Sequence, residues 1–302
     1  MSLSDLAWEP AATSSVRSVA ADLVSLTKPR IVELLVVTGV AAAVVAAGGW
    51  PGGAPLVAVI VGGGMAGAGA GSINCALEAD LDRKMPRTAH RPVAAGRLSA
   101  RLALTQGIVL NLVALTLIDH LTNPLAAALT MGGTLWYVFV YTLWLKRRTV
   151  NNIVIGGLAG SFPPLVGWAA VTGTISTTAI ALAAVIFLWT PPHFWALATL
   201  ANEEYQAAGV PMLPAVAGSR RTATSMLRYA TGLLVASLGP VVAGDLGMIY
   251  LVIALAAGGW FVGSCRRHLR RLEPATARQV FLGSLAYLAA VFMAAMLDVI
   301  MR

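Results

Sequence analysis

Nine apolar runs, each long enough to cross the roughly 30 Å hydrocarbon core of a bilayer, follow one another almost without pause along this chain. They fall near residues 31–49, 54–73, 99–118, 124–145, 151–171, 175–199, 227–243, 246–265 and 279–300. In lipid every peptide group must be satisfied internally, so a spanning segment is a helix or part of a closed barrel, and unbroken apolar runs lack barrel alternation. The expected fold is therefore all-α: a polytopic membrane protein with nine transmembrane helices bundled around an intramembrane cavity. Only 11% of the 302 residues are charged, against 58% hydrophobic, which excludes an ordinary water-soluble domain. One domain over 1–302 is expected, with residues 1–25 as a flexible cytoplasmic N-terminus and no cleavable signal peptide.

The net charge of +8 belongs to loops rather than to a nucleic-acid surface, so no nucleic-acid partner is expected. Of 21 Lys and Arg residues, only Arg302 falls on the opposite side from the rest. That asymmetry places the N-terminus and the long loops in the cytoplasm and the C-terminus outside. Cys75 and Cys265 match no metal-binding spacing and read as small buried hydrophobes. GGGMAGAGAG, residues 62–71, lets neighbouring helices approach closely. Without a preceding strand or a closing Gly-Lys-Ser/Thr it is not a nucleotide loop.

The polar content gathers in two regions. The first is NCALEADLDRKMPRTAHRP, residues 74–92. If the second span continues as a helix, Asn74, Glu78 and Asp82 stand four residues apart on one face, with Asp80 pointing elsewhere. Two carboxylates and an amide oxygen make a hard, oxygen-only surface suited to Mg²⁺, which keeps open positions for substrate phosphates. Arg87 and Arg91 supply donors for the same phosphates or pair with the acids. For Lys84 and Arg97 a solvated salt bridge is the expected role.

The second region is WTPPHFWALATLANEEYQAAGVPMLPAV, residues 189–216. Pro191 and Pro192 are expected to distort the sixth span. On an unbroken helix His193 and Glu204 fall about 20° apart in azimuth and share a cavity wall, flanked by Asn202 and Glu203. Three uses of His193 stay open: an acid–base group, a contact to a bound ligand or its iron, or a core histidine satisfied by a carbonyl. At the same edge, YTLWLKRRTVNNIVIGG brings Lys146 as a candidate phosphate contact and Arg148 as an orienting charge, and SFPPLVGW breaks the fifth span.

These ordered motifs, NCALEADLDRKMPRTAHRP, YTLWLKRRTVNNIVIGGLAGSFPPLVGWAA and PPHFWALATLANEEYQAAGVPMLPAV, closely resemble those of the protoheme IX farnesyltransferases within the UbiA-type intramembrane prenyltransferases. The resemblance covers nearly the whole chain. It implies transfer of a farnesyl group from farnesyl diphosphate to a vinyl group of heme b, giving heme O and diphosphate. Heme b is then a substrate, not a permanent cofactor. It also implies Mg²⁺ held by Asn74, Glu78, Asp82 and Glu204, which would be the catalytic set. Asp80, Arg87, Arg91, Lys146, His193 and Tyr205 would contact substrate. The family pattern has Asp where this chain has Glu78 and Glu204. A bacterial inner-membrane location, contact with membrane lipid and a downstream heme-modifying or heme-using enzyme follow from the same resemblance. Two rival readings are a prenyltransferase acting on an aromatic acid or quinone precursor, and a polytopic transporter.

Overall fold

The computed structural model describes residues 16–302. Nine helices among them are long and apolar enough to cross a membrane: α2 (Pro29–Ala47), α3 (Gly53–Leu77), α5 (Ala100–Leu121), α6 (Pro124–Leu145), α7 (Asn152–Thr172), α8 (Thr177–Leu200), α10 (Leu213–Val242), α11 (Met248–Arg271) and α12 (Pro274–Ile300). Three shorter helices lie at one end of the bundle: α1 (Val16–Leu26), α4 (Ala79–Lys84) and α9 (Asn202–Ala207). No strand occurs among the described residues. The chain is a multi-pass membrane protein, and the nine expected spans are its nine long helices.

The helices close a ring. On one side α3 packs on α5, α6 on α7 and α7 on α2. On the other, α8 packs on α10 and α12, α10 on α11 and α11 on α12, while α12 returns to α2. Small residues set two of these crossings. A Cβ on Gly69 of α3 would lie 2.6 Å from the Gly107 carbonyl of α5, and one on Gly167 of α7 would overlap the Gly39 carbonyl of α2. No side chain larger than hydrogen fits there, so the backbones touch.

Sequence and structure differ at three places. Of the N-terminal segment expected to be flexible, residues 1–15 lie outside the described residues, and residues 16–26 form α1. Its Leu23 and Val19 pack on a buried cluster containing Leu26, Cys75 and Leu98. The stretch 200–226, read as a long loop, is largely helical: it holds α9 and the start of α10, which changes direction at Gly218 (φ +76°). Its polar residues hide it from a hydropathy reading, although SRRTATSMLR is a competent helix sequence. Finally, α8 runs through Pro191 and Pro192 as one helix, both prolines buried. Their missing N–H groups leave the ladder short of two donors, and the Thr190 hydroxyl donates to the Ile186 carbonyl at 2.8 Å beside the gap. The fifth span is interrupted as expected, by a tighter 3₁₀ turn over Gly157–Ser161 before Pro163 and Pro164 restart it.

Candidate active site

The first polar motif sits where α3 hands over to α4. Glu78 interrupts the helix (φ −107°, ψ 11°), yet the four-residue ladder survives: Glu78 N–H donates to the Asn74 carbonyl at 2.9 Å, and Asp82 N–H to the Glu78 carbonyl at 2.8 Å. The shared face expected from the spacing is thus kept. Asn74, Glu78 and Asp82 are 1%, 1% and 4% exposed, whereas the Asp80 side chain is about half exposed. In a chain this apolar, burying three such groups demands partners.

The partners are basic residues brought from three other segments. Lys28, just ahead of α2, donates to the Asn74 amide oxygen, and the Asn74 amide nitrogen donates to Thr142 Oγ1 at 3.0 Å. Lys146 donates to Glu78 Oε2 at 2.5 Å. One Arg91 nitrogen lies 2.8 and 2.9 Å from the two Asp82 oxygens. Asp80 faces outward and takes both Arg147 terminal nitrogens, at 2.8 and 2.7 Å.

Local backbone explains two of these reaches. The last ten residues of α6 are wound with five-residue spacing, shown by Lys146 N–H donating to the Tyr141 carbonyl at 2.9 Å. Such wider turns recur at functional sites; this one sets Thr142 and Lys146 against the first motif. Lys28 holds a left-handed backbone (φ 53°) rare for a residue with a Cβ. Burial lowers the Lys28 pKa from its ordinary value. Burial also works against charge on Lys146, but the Glu78 carboxylate more than offsets it and the Lys146 pKa is raised. The Arg147 guanidinium holds the Asp80 carboxyl below the usual carboxylate range.

The second polar motif meets the first through Arg87. Its Nη2 donates to the Tyr205 hydroxyl at 3.1 Å, and its Nε lies 3.8 Å from Glu204 Oε2. Beneath them one buried apolar cluster, including Leu81, Met85, Tyr141, Ala201, Tyr205 and Met212, joins α4, α6, α8, α9 and the segment after it. Two regions more than a hundred residues apart therefore rest on common support.

His193 does not join them. The helix breaks at Ala201 (φ −111°, ψ 27°), so the continuous-helix azimuth that aligned His193 with Glu204 does not apply. Instead the His193 ring lies between Trp189 and Phe281, with centroids 4.3 and 4.9 Å away. Its Nδ1 is 2.6 Å from Ser284 Oγ, and that hydroxyl donates its one proton to the Phe281 carbonyl at 2.6 Å. Ser284 can then only accept, so Nδ1 carries the hydrogen and Nε2 keeps its lone pair, with no hydrogen bond to it among the described residues.

Three features escaped the sequence reading. Lys28 and Arg147 read as orienting charges but hold the Asn74 amide and the Asp80 carboxylate of the motif. Thr142 was hidden in an apolar span. Asn202, noted only as flanking Glu204, has a buried Oδ1 without a hydrogen-bond partner, as do Glu78 Oε1 and Glu204 Oε2, the last only in loose ion-pair range of Arg87. Oxygens with lone pairs left over fit Mg²⁺. Among the described residues no group of three His, Cys, Asp or Glu side chains is placed to hold a metal ion by itself.

The model of the UbiA prenyltransferase family matches residues 35–295. Relatives called protoheme IX farnesyltransferase include those of Clavibacter michiganensis (42% identical, covering 91% of this chain and 91% of that one) and Mycobacterium tuberculosis (45%, covering 91% and 89%). The Chloroflexus aurantiacus relative is 44% identical over 93% of this chain, but the chain spans only 48% of it, about half its length. Among solved structures, one of digeranylgeranylglyceryl phosphate synthase in membranes superposes with a TM-score of 0.78 at 17% identity, covering 94% of this chain and 99% of that one. A UbiA homolog from Archaeoglobus fulgidus bound to DMAPP and Mg²⁺ gives 0.64 at 16%, covering 90% and 99%. At such identities the likeness speaks for the fold, while the family match and the full-length relatives carry the assignment: the chain belongs to the UbiA prenyltransferase family, among the protoheme IX farnesyltransferases.

Proposed function

We propose that this protein transfers a farnesyl group from farnesyl diphosphate to a vinyl group of heme b, releasing diphosphate and giving heme O. The observation that carries this reading is the meeting of buried acids and bases from four segments at one end of an otherwise apolar bundle. Such a site suits a substrate with a highly charged head and a fifteen-carbon tail.

In this account Glu78 and Glu204 would hold Mg²⁺ against the diphosphate through the oxygens that lack a hydrogen bond, joined by Asn74 and Asp82 as Lys28 and Arg91 turn from them to the diphosphate. When bound, the ion supplies neutralisation of the charge that builds on the leaving diphosphate. Arg87, Arg91 and Lys146 add donors to the same oxygens. The allylic C–O bond breaks, its electron pair leaving with diphosphate. The terminal vinyl carbon bonds to the farnesyl carbon, and water adds to the neighbouring carbon and loses a proton to become the hydroxyl. The protein's task is to align the two partners and limit the entry of water. His193 Nε2, unpaired and fixed by Ser284, serves as the heme-facing group. The membrane is the bacterial inner membrane, with the basic end of the bundle in the cytoplasm.

Amide variants Glu78→Gln and Asp82→Asn test the reading. Each is expected to insert normally and lose Mg²⁺-dependent turnover. Near-normal turnover in either purified variant would remove that carboxylate from the site.

A further inference from the structure

Four arginines at the end of α11 belong to neither polar cluster. Arg266, Arg267, Arg270 and Arg271 are exposed and, with Gly263, line an open cavity of about 330 Å³. None is in a salt bridge among the described residues. The one side-chain hydrogen bond they make runs from Arg267 Nη1 to Gln279, at 3.4 Å. Two of the spacings, 266 to 270 and 267 to 271, set like charges one turn apart, which disfavours the helix. The negative C-terminal end of the helix dipole offsets part of that cost.

The surroundings point to a ligand. On the helical wheel Arg267 and Arg271 fall within about 20° of Trp260, and Gly263 and Arg270 lie about 60–80° to one side. Trp260 is half exposed and lies against Gly283 of α12. A Cβ on Gly263 would meet nothing within 4 Å, so this glycine serves no helix crossing and leaves open space beside the guanidiniums that line the cavity with it. An exposed aromatic ring near the membrane boundary, followed one turn on by an open glycine and a row of guanidiniums, suits the glycerol region and phosphate of a lipid. Orientation by positive charge needs neither the cavity nor the open glycine.

We propose that this cavity binds the phosphate-bearing headgroup of an anionic membrane lipid. Its phosphate is held by Arg266, Arg270 and Arg271, and its glycerol region passes over Gly263 beside Trp260. Guanidinium forks suit phosphate oxygens better than point charges do.

The test reconstitutes the full chain in vesicles of equal phosphatidylglycerol and phosphatidylcholine, extracts it, and measures co-purified lipid by native mass spectrometry. The unaltered protein is expected to retain phosphatidylglycerol preferentially. Combined Arg266→Gln, Arg270→Gln and Arg271→Gln should reduce that preference roughly a hundredfold, given the usual contribution of each basic residue at an anionic surface. A control with Arg220→Gln, Arg221→Gln and Arg228→Gln on α10 should keep it. If the glutamine triple variant fails to insert, the matching Arg→Lys triple preserves the charge and should still lower retention. Equal retention by the α11 variant and the α10 control overturns the proposal. So does complete displacement of the lipid by inorganic phosphate, which would assign the cavity to soluble anions.

Discussion

Lys146 Nζ lies 2.5 Å from Glu78 Oε2 across 68 residues of sequence, and Glu78 is 1% exposed. The pair fastens the end of α6 to the break between α3 and α4, while Glu78 Oε1 stays without a partner. Removing one member leaves a buried charge uncompensated, which typically costs about 3–5 kcal/mol. Lys146→Met should therefore lower the melting temperature in detergent markedly. Adding Glu78→Gln to it should recover much of the loss. A double variant no more stable than Lys146→Met would show that the contact does not hold the site together.

Glu78→Asp withdraws the same carboxylate by one methylene. Lys146 then loses its close contact, and stability is expected to fall by less than in Lys146→Met because both charges remain. Mg²⁺-dependent turnover should persist with a changed half-saturating Mg²⁺ concentration. Thermal melts together with a metal titration check both parts, and unchanged values in both would show that arm length is irrelevant here.

His193→Ala removes a lone pair whose position Ser284 fixes. Purified protein carrying this change should bind added heme more weakly and lack any absorbance shift seen with the unaltered protein. Ser284→Ala frees the tautomer without removing the ring, so its effect should be smaller. Identical heme titrations for all three proteins would return His193 to a packing role.

The docking of α1 carries a pH dependence. Asp22 takes Arg97 Nε at 2.8 Å and Nη2 at 2.9 Å, and Arg97 holds its carboxyl below the ordinary value of 3.8. A lowered acid stabilises the folded state fully above the unfolded pKa and loses that contribution as pH falls through the folded one. Protection of residues 16–26 from hydrogen exchange should thus be flat above about pH 4 and decline below it, in line with the unfolded pKa near 3.9. Arg97→Gln should weaken protection across the whole range, by no more than about 1 kcal/mol for a pair this exposed.

Much of the bundle was legible in the sequence because hydrocarbon thickness and peptide satisfaction leave few choices to nine apolar runs. The four-residue spacing of Asn74, Glu78 and Asp82 also survived, since the hydrogen-bond ladder continues through the break at Glu78. What failed depended on continuity or on charge. The alignment of His193 with Glu204 assumed a helix that ends before Ala201. Lys28 and Arg147 looked like orienting charges because a basic residue at a span boundary has that use by default, and only the tertiary fold shows which amide or acid it faces. Thr142 gave no signal at all, being one hydroxyl in an apolar span.

The central claim is most directly tested by the mass of the heme recovered after the purified protein is incubated with farnesyl diphosphate, Mg²⁺ and heme b in ¹⁸O-labelled water. The account predicts a heme that has gained one farnesyl group and one hydroxyl bearing the heavy oxygen, with diphosphate released. Recovery of unchanged heme, while an aromatic acid offered under the same conditions becomes prenylated, would contradict it.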